Sequence, residues 1–216
     1  MSKIVLVGAS GNVGGAILSE AVARGHDVTA VTRGIAPFDA PAGVSSVTAD
    51  VLDSEAVRSF AAGADVVISA YKAPHGAQQE PAAFLAAAKS LVAALRELGD
   101  AAPRLIVVGG AGSLEVAPGV SLLDSGGIPE QFREWAGGHV AELDYLRTVQ
   151  DVDWAYLSPS PGFGPGERTA NFRVGGDALL VGADGKSAIS VPDYAVAIID
   201  EVEQQRHSRQ RFTVGY

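Results

Sequence analysis

The chain has no cysteine among its 216 residues, and its basic residues are few. Without thiols the protein has no disulfide bonds, no thiolate metal ligands and no cysteine nucleophile, so any redox chemistry must come from a bound group. The 16 Lys and Arg residues are outnumbered by 25 Asp and Glu residues, which gives a net charge of −9. Nucleic acids and anionic membranes bind basic surfaces, and no Lys/Arg cluster is present, so we expect neither as a partner.

Long apolar runs are also absent. No stretch approaches the roughly 20 apolar residues of a membrane span, and no cleavage signal follows the first apolar residues, which predicts a cytoplasmic protein. With 47% hydrophobic residues the chain is long enough for one sizeable core, so we expect a single domain over residues 1–216. No metal site is predicted, and the sequence leaves open whether the protein is a monomer or a homodimer.

Glycine, in contrast, is abundant, and three of the 26 glycines form the pattern Gly8-x-x-Gly11-x-x-Gly14. The pattern follows an apolar run at residues 3–7 and precedes apolar residues at helical spacing between 13 and 22, so it predicts a turn between a strand and a helix. Glycines let the backbone approach a pyrophosphate, and the free N–H groups and positive end of the helix attract its charge. This stretch predicts a dinucleotide-binding site.

Strands and helices alternate along the rest of the chain. This rhythm predicts an α/β fold of Rossmann type, a doubly wound parallel sheet with helices on both faces. The predicted strands are 27–33, 44–48, 65–70, 104–108, 154–158 and 211–214, and the predicted helices are 54–62, 81–98, one that follows Pro129 and ends near Gln150, and 192–204. Residues 109–129 are expected to be irregular. Residues 159–190 are rich in Gly, Pro and polar residues, and we expect them to form a small substrate cap.

Ligands of such sheets bind outside the carboxyl ends of the strands, so the residues directly after each strand are candidates. Arg33 follows the second strand, where an NAD enzyme places a carboxylate; Asp27 begins that strand and therefore lies at the opposite edge. A guanidinium can bind a phosphate through two hydrogen bonds, so Arg33 favours NADP(H) over NAD(H). After the third strand, Asp50 is placed to accept from the adenine amino group, and Val51 to pack on the ring. Helix capping is the competing role for Asp50, but Asp53 is better placed as that cap.

Two more strand ends complete the predicted coenzyme site. Ser69, Ala70 and Tyr71 follow the fourth strand, and Gly109 and Gly110 open a second glycine-rich turn after the fifth, where small residues leave room for a nicotinamide ring. The residues predicted to bind the coenzyme are Gly8, Ser10, Gly11, Asn12, Val13, Arg33, Asp50, Val51, Ser69, Ala70, Tyr71, Gly109 and Gly110. The loop at residues 74–76 is a candidate lid.

Two residues are candidates for catalysis. Ser113, in the second glycine-rich turn, is either a hydrogen-bond donor to a substrate carbonyl or to the coenzyme carboxamide, or a plain turn serine. His139 falls within the apolar stripe of the helix near residues 137–150, where a histidine needs a partner. It is either a satisfied core residue or a proton donor that faces the cleft.

The predicted cap contributes candidate substrate-binding residues, to which Ser113 also belongs. Phe163 is placed to stack on a planar acceptor, and Arg168 and Arg173 to meet its phosphate. Alternatively, both arginines pair with Glu167 or Asp177 and hold the cap together.

Several segments of the chain carry a family resemblance. They are Gly8-Ala9-Ser10-Gly11-Asn12-Val13-Gly14, Val107-Val108-Gly109-Gly110-Ala111-Gly112-Ser113-Leu114, Asp153-Trp154 with Ser158-Pro159, Pro165-Gly166-Glu167-Arg168-Thr169, and Ser190 with Asp193-Tyr194-Ala195. With them the chain resembles, over its whole length, the atypical short-chain dehydrogenase/reductase proteins of the NAD(P)H-binding and NADH-flavin reductase group, akin to biliverdin reductase B and the NmrA-like proteins. The resemblance implies a Rossmann fold, a reduced nicotinamide coenzyme and a flavin or similar conjugated acceptor.

One motif of the wider superfamily is missing, because no tyrosine has a lysine four positions later. Classical members use a Tyr-x-x-x-Lys pair for proton transfer to and from an alcohol, so carbonyl–alcohol interconversion and sugar epimerisation are not expected. A flavin or quinone spreads negative charge over its own conjugated ring. Holding the two rings in contact then supplies much of the catalysis, and water can bring the proton.

The sequence therefore predicts an NAD(P)H-dependent reductase that passes hydride from NADPH to a planar conjugated acceptor such as FMN or a quinone. The alternative is a non-catalytic NmrA-like redox sensor that binds the dinucleotide and acts through a protein partner. A cleft open enough for a second ring beside the nicotinamide favours the enzyme, whereas a filled cleft and an exposed apolar patch favour the sensor.

Overall fold

The computed structural model describes residues 1–34, 38–72 and 81–216, so the candidate lid at 74–76 lies outside the described residues. The helices are α1 (Asn12–Ala23), α2 (Ser54–Ala61), α3 (Ala82–Leu98), α4 (Glu130–Arg147) and α5 (Val191–Gln204). The strands are β1 (Lys3–Val7), β2 (Asp27–Thr32), β3 (Ser45–Thr48), β4 (Val66–Ser69), β5 (Arg104–Val108), β6 (Glu115–Ala117), β7 (Val120–Ser121), β8 (Trp154–Pro159), β9 (Gly162–Gly164), β10 (Arg173–Gly175), β11 (Ala188–Ser190) and β12 (Gln210–Gly215).

The main sheet has eight strands in the order β10-β12-β8-β5-β4-β1-β2-β3. Its neighbouring strands are parallel except for β10, which runs antiparallel to β12 at one edge. The strand order reverses at β1, since β2 and β3 lie on one side of it and β4 and β5 on the other. Ligands of doubly wound sheets bind at this switch point, outside the carboxyl ends of the strands. The predicted α/β, Rossmann-type fold is confirmed.

Helices bury both faces of the sheet. On one face α1 packs against α5, and on the other α3 packs against α2 and α4. Side chains alternate along β1 as the strand period requires: Ile4 and Leu6 enter the first core, whereas Val5 and Val7 enter the second. With both faces covered, a strand needs apolar residues at every position, which explains the continuous apolar run that follows Lys3.

Two regions contain short strands: the sequence did not predict those at 109–129, and in the cap it indicated short β-like pieces without their bounds or pairing. Residues 109–129, expected to be irregular, include the short hairpin of β6 and β7. Within the predicted cap, β10 extends the main sheet, whereas β9 pairs in parallel with β11 beside the cleft. These strands are two or three residues long, and their stability depends on partners far away in the sequence, such as the Glu115 N–H bonded to the Asp177 carbonyl at 2.9 Å. A pattern of two or three residues carries too little periodicity to predict.

The start of α5 joins residues 159–190 to the rest of the molecule. Ser190 caps this helix by accepting from the Asp193 N–H at 3.1 Å. The Asp193 carboxylate accepts from the Thr169 N–H at 2.7 Å and from the Tyr216 hydroxyl at 2.8 Å. Hydrogen bonds thus hold residues 159–190 to the start of α5 at Thr169 and at Ser190. The role of these residues as a substrate cap stays a prediction.

No helix in the described part of the chain combines the length and the apolar character needed to cross a bilayer.

Candidate functional site

The turn after β1 is closed by direct backbone contacts. Gly8 has a φ of +81°, and a Cβ at this position would lie 2.4 Å from the carbonyl oxygen of Ala70. A Cβ on Gly14 would lie 2.1 Å from the carbonyl oxygen of Gly8. Both positions therefore require glycine. The turn holds the first residues of α1 against the carboxyl ends of β1 and β4.

The N-terminus of α1 is open to a ligand. Gly11 is the cap residue, so no side-chain cap bonds the first N–H groups, and the first turn contains no acidic residue. Four N–H groups at the start of a helix have no partner within the helix, and the helix dipole adds positive potential there. This glycine cradle, residues 8–14, fits the pyrophosphate of a dinucleotide.

Two adjoining cavities extend from the glycine cradle. The smaller, of about 210 Å³, lies at the carboxyl ends of β1 and β2. Arg33 is exposed on its wall, beside Thr32 and Val51. The larger, of about 560 Å³, continues from the cradle to the turn after β5. The two cavities share Gly11, Ala70, Tyr71 and Lys72, and together they form one continuous cleft.

The turn after β5 packs on the buried ring of Tyr156. A Cβ on Gly109 would lie 2.1 Å from the ring carbon Cε1, so only glycine fits. The Tyr156 hydroxyl accepts from the Gly110 N–H at 3.2 Å and donates to the carbonyl of His139 at 3.0 Å. Burial raises the pKa of Tyr156 well above its usual value, so the hydroxyl stays neutral. Tyr156 thereby positions the glycine turn relative to α4.

His139 lies on the wall of the larger cavity. Its Nδ1 is 3.1 Å from Oε2 of Glu142, and its ring packs on Phe84 with the centroids 3.9 Å apart. Desolvation raises the pKa of the buried Glu142 carboxyl, and the hydrogen bond with His139 opposes this shift. Because Nδ1 is engaged by Glu142, Nε2 is the ring nitrogen that remains to serve a ligand. The two interpretations of His139, as a satisfied core residue and as a residue that faces the cleft, are therefore compatible: its Nδ1 has a hydrogen-bond partner, and its side chain lies on the cavity wall.

Most of the predicted coenzyme residues are brought together by the cleft. Those on its walls are Gly8, Ser10, Gly11, Asn12, Val13, Arg33, Val51, Ala70, Tyr71, Gly109 and Gly110. Asp50 and Ser69 are not among them. Asp50 is exposed and accepts from the Leu52 N–H at 3.0 Å, and the helix cap beside it is Asp53. Ser69 is buried within the sheet, in register with Val7 and Val107.

Of the predicted catalytic and substrate residues, His139 and Phe163 line the larger cavity, whereas Ser113 and Arg168 do not. The carbonyl of Ser113 accepts from Arg211 at 3.3 Å, behind the glycine turn. Arg168 makes two hydrogen bonds of 2.8 Å to the carboxylate of Glu20 on α1. These bonds outweigh the effect of burial and lower the pKa of Glu20. Within the protein Arg168 therefore pairs with neither Glu167 nor Asp177, but with a carboxylate 148 residues away.

Sequence reasoning missed the wall formed by the first turns of α4. Phe132 and Trp135 line the larger cavity there, opposite Phe163. The spacing Phe132-x-x-Trp135-x-x-x-His139 places the three rings on one helix face, and this periodicity was the available signal.

A family model of NAD(P)H-binding proteins matches residues 8–203. The chain belongs to this family. The match includes both glycine turns and all of α4, so it covers the cleft described above. The predicted resemblance to atypical short-chain dehydrogenase/reductase proteins is confirmed, and the chain is an NAD(P)H-binding protein of an oxidoreductase family.

Three solved structures are similar to the chain over its full length. One from Burkholderia pseudomallei, provisionally named an exported protein, is 44% identical, with 100% of both chains covered and a TM-score of 0.88. One from Bacteroides thetaiotaomicron, provisionally named an epimerase, is 39% identical, with 100% of this chain and 97% of the other covered and a TM-score of 0.89. One from Streptococcus pneumoniae, provisionally named an NADH-flavin reductase, is 34% identical, with 100% and 99% covered and a TM-score of 0.85. Their names do not agree on one activity.

Proposed function

We propose that the protein is a reductase that uses NADPH to reduce a planar conjugated acceptor, either a flavin or a quinone. The observation that carries this proposal is the larger cavity, which continues from the glycine cradle and leaves about 560 Å³ between aromatic walls. Ligand pockets have volumes of this order and combine apolar walls with a few polar groups. The name of the Streptococcus pneumoniae structure supports the acceptor class.

The residues of the cleft have distinct roles in this proposal. The glycine cradle binds the pyrophosphate, and Arg33 binds the 2′-phosphate that distinguishes NADPH from NADH. The Streptococcus pneumoniae structure is named for NADH, so the coenzyme preference rests on Arg33 alone. Ser113, outside the cleft, has no role.

When bound, the reduced coenzyme supplies a hydride, which carries two electrons and one hydrogen to the acceptor. The second hydrogen of the reduced acceptor is a proton, and His139 donates it from Nε2 and recovers it from water. Glu142 is a positioning residue: its carboxyl holds Nδ1 and leaves Nε2 for the acceptor. Phe163 orients the acceptor ring.

Two other functions fit the cleft less well. A non-catalytic sensor needs no open space beside the coenzyme, whereas the larger cavity runs beyond both glycine turns to the aromatic side chains of α4 and to Phe163. An epimerase, as the Bacteroides thetaiotaomicron structure is named, uses a Tyr-x-x-x-Lys acid/base pair, and neither Tyr71 on the cleft wall nor any other tyrosine has a lysine four positions later. Tyr156 and Tyr194 are both buried, and their hydroxyls donate to the main-chain carbonyls of His139 and Leu157.

The proposal includes a cytoplasmic location, because NADPH is a cytoplasmic reductant. The Burkholderia pseudomallei structure, in contrast, is named as an exported protein. Fractionation of the native host, with detection of the protein in either the cytoplasmic or the exported fraction, decides between them.

The first test is the rate of NADPH oxidation with a panel of FMN, riboflavin, quinones and simple aldehydes. We expect turnover with flavins or quinones and none with aldehydes. Phe163→Ala should lower kcat/KM for the acceptor while the Kd for NADPH stays unchanged, and Phe163→Leu should retain more activity because it keeps an apolar wall. Tight NADPH binding without turnover of any acceptor would contradict the proposal and favour the sensor.

A further inference from the structure

We infer that the acceptor is an uncharged planar molecule, of the class of quinones and riboflavin, rather than a phosphorylated flavin. This inference rests on the proposed function and narrows its acceptor class. It comes from the acceptor end of the cleft, defined as the part of the larger cavity formed by residues 127–139 and 159–163.

Two aromatic side chains on the walls of the acceptor end each pack against a second aromatic ring of the protein. Trp135 packs edge-on against Phe84, with the centroids 4.9 Å apart. Phe163 packs against Tyr194, with the centroids 4.8 Å apart. Phe132 lines the same cavity and is 55% exposed, so its ring is accessible to a ligand. Rings fixed in this way stack on a flat conjugated ligand with little loss of side-chain entropy.

No lysine or arginine lines the acceptor end in the part of the chain that the structure describes. Lys72 lies on the wall that the two cavities share, on the coenzyme side. Arg133 is on α4 but outside the cavity, 3.8 Å from the carboxylate of Glu130. Arg173, predicted to meet a phosphate, donates instead to the main-chain carbonyls of Val181 and Tyr216.

An acceptor phosphate therefore finds no lysine or arginine partner on the described walls, and it must approach a protein whose net charge is −9. Long-range repulsion of this kind lowers the association rate and is screened by salt. A neutral acceptor is not repelled in this way, because it binds through stacking and apolar burial.

The test compares riboflavin with FMN in two ways: kcat/KM for reduction by NADPH, and the Kd of each flavin for the protein loaded with NADP⁺, measured by quenching of flavin fluorescence. We expect riboflavin to be preferred about threefold or more at low salt, and the preference to shrink as salt is added. Gln131→Arg places a guanidinium on the exposed wall and should shift the ratio toward FMN by about two- to fivefold. Asp144→Asn makes the same change of charge on α4 outside the cavity and should leave the ratio unchanged.

The outcomes separate the inference from the proposed function. Reduction of both flavins with FMN equal or preferred overturns the inference and leaves the proposed function intact. Tighter binding of riboflavin without reduction of either flavin or of any quinone in the panel overturns the proposed function, whereas the inferred chemistry of the site stands. Identical responses of the ratio to Gln131→Arg and Asp144→Asn would also overturn the inference.

Discussion

Gly14 and Gly15 are neighbours at the start of α1, yet replacing each by alanine should have opposite effects. At Gly14 a Cβ would lie 2.1 Å from the Gly8 carbonyl oxygen and 2.8 Å from its carbon, both backbone atoms. The main chain must therefore move, and overpacking of this kind costs about 1–3 kcal/mol. At Gly15 the nearest atom outside the helix is the Ala9 carbonyl oxygen at 3.7 Å, which is ordinary van der Waals contact. Alanine there should stabilise the helix by about 0.5–1 kcal/mol.

The two variants should therefore differ by roughly 1.5–4 kcal/mol in the free energy of unfolding. For a chain of this size, 1 kcal/mol corresponds to about 2–4 °C in Tm, so thermal unfolding followed by circular dichroism resolves the difference. Gly14→Ala should also weaken NADH and NADPH together, because it displaces Gly8 from the cradle, whereas Gly15→Ala should leave both affinities unchanged. Equal Tm values, or normal coenzyme affinity in Gly14→Ala, would refute the assignment of the cradle.

Three further predictions concern single side chains. Arg33→Ala should weaken NADPH binding about tenfold or more and leave NADH binding nearly unchanged. As the control, Lys72→Ala, on the wall that the two cavities share, should weaken the binding of both coenzymes. Equal weakening of both by Arg33→Ala would contradict the preference for NADPH. Glu142→Gln replaces the buried carboxyl that holds Nδ1 of His139 with an uncharged amide of similar size. Burial raises the pKa of Glu142, so the contribution of this carboxyl to the free energy of unfolding is largest below about pH 4.3 and falls as the pH rises. Glu142→Gln should therefore equal or exceed wild type in stability at pH 7, and wild type should gain on the variant as the pH falls. Arg168→Ala should lower Tm by only about 1–2 °C, because this guanidinium is half-exposed, and should leave the KM for FMN unchanged; a manyfold rise in that KM would place the side chain at the acceptor after all.

The sequence alone was sufficient to predict β1, the glycine turn and α1. Each is encoded within a few residues: an apolar run covered on both faces, glycines at positions that exclude a Cβ, and apolar residues at helical spacing. The same holds for the Asp53 cap of α2, whose side chain accepts from N–H groups two and three residues later. The alternation of such elements was enough to predict a doubly wound sheet and to locate its ligand edge. The coenzyme contacts themselves stay a prediction.

The partners of side chains were decided by the tertiary structure. Arg168 pairs with Glu20, which is 148 residues away, and Tyr156 links the β5 turn to His139 on α4. The aromatic walls of the acceptor end come from α4 and β9, which no local pattern connects. Turns, caps and periodic elements depend on interactions between residues close together in the chain, so the sequence determined them by itself. Ion pairs, cavities and short strands depend on which distant surfaces meet when the sheet closes, and only the folded chain brings those surfaces together.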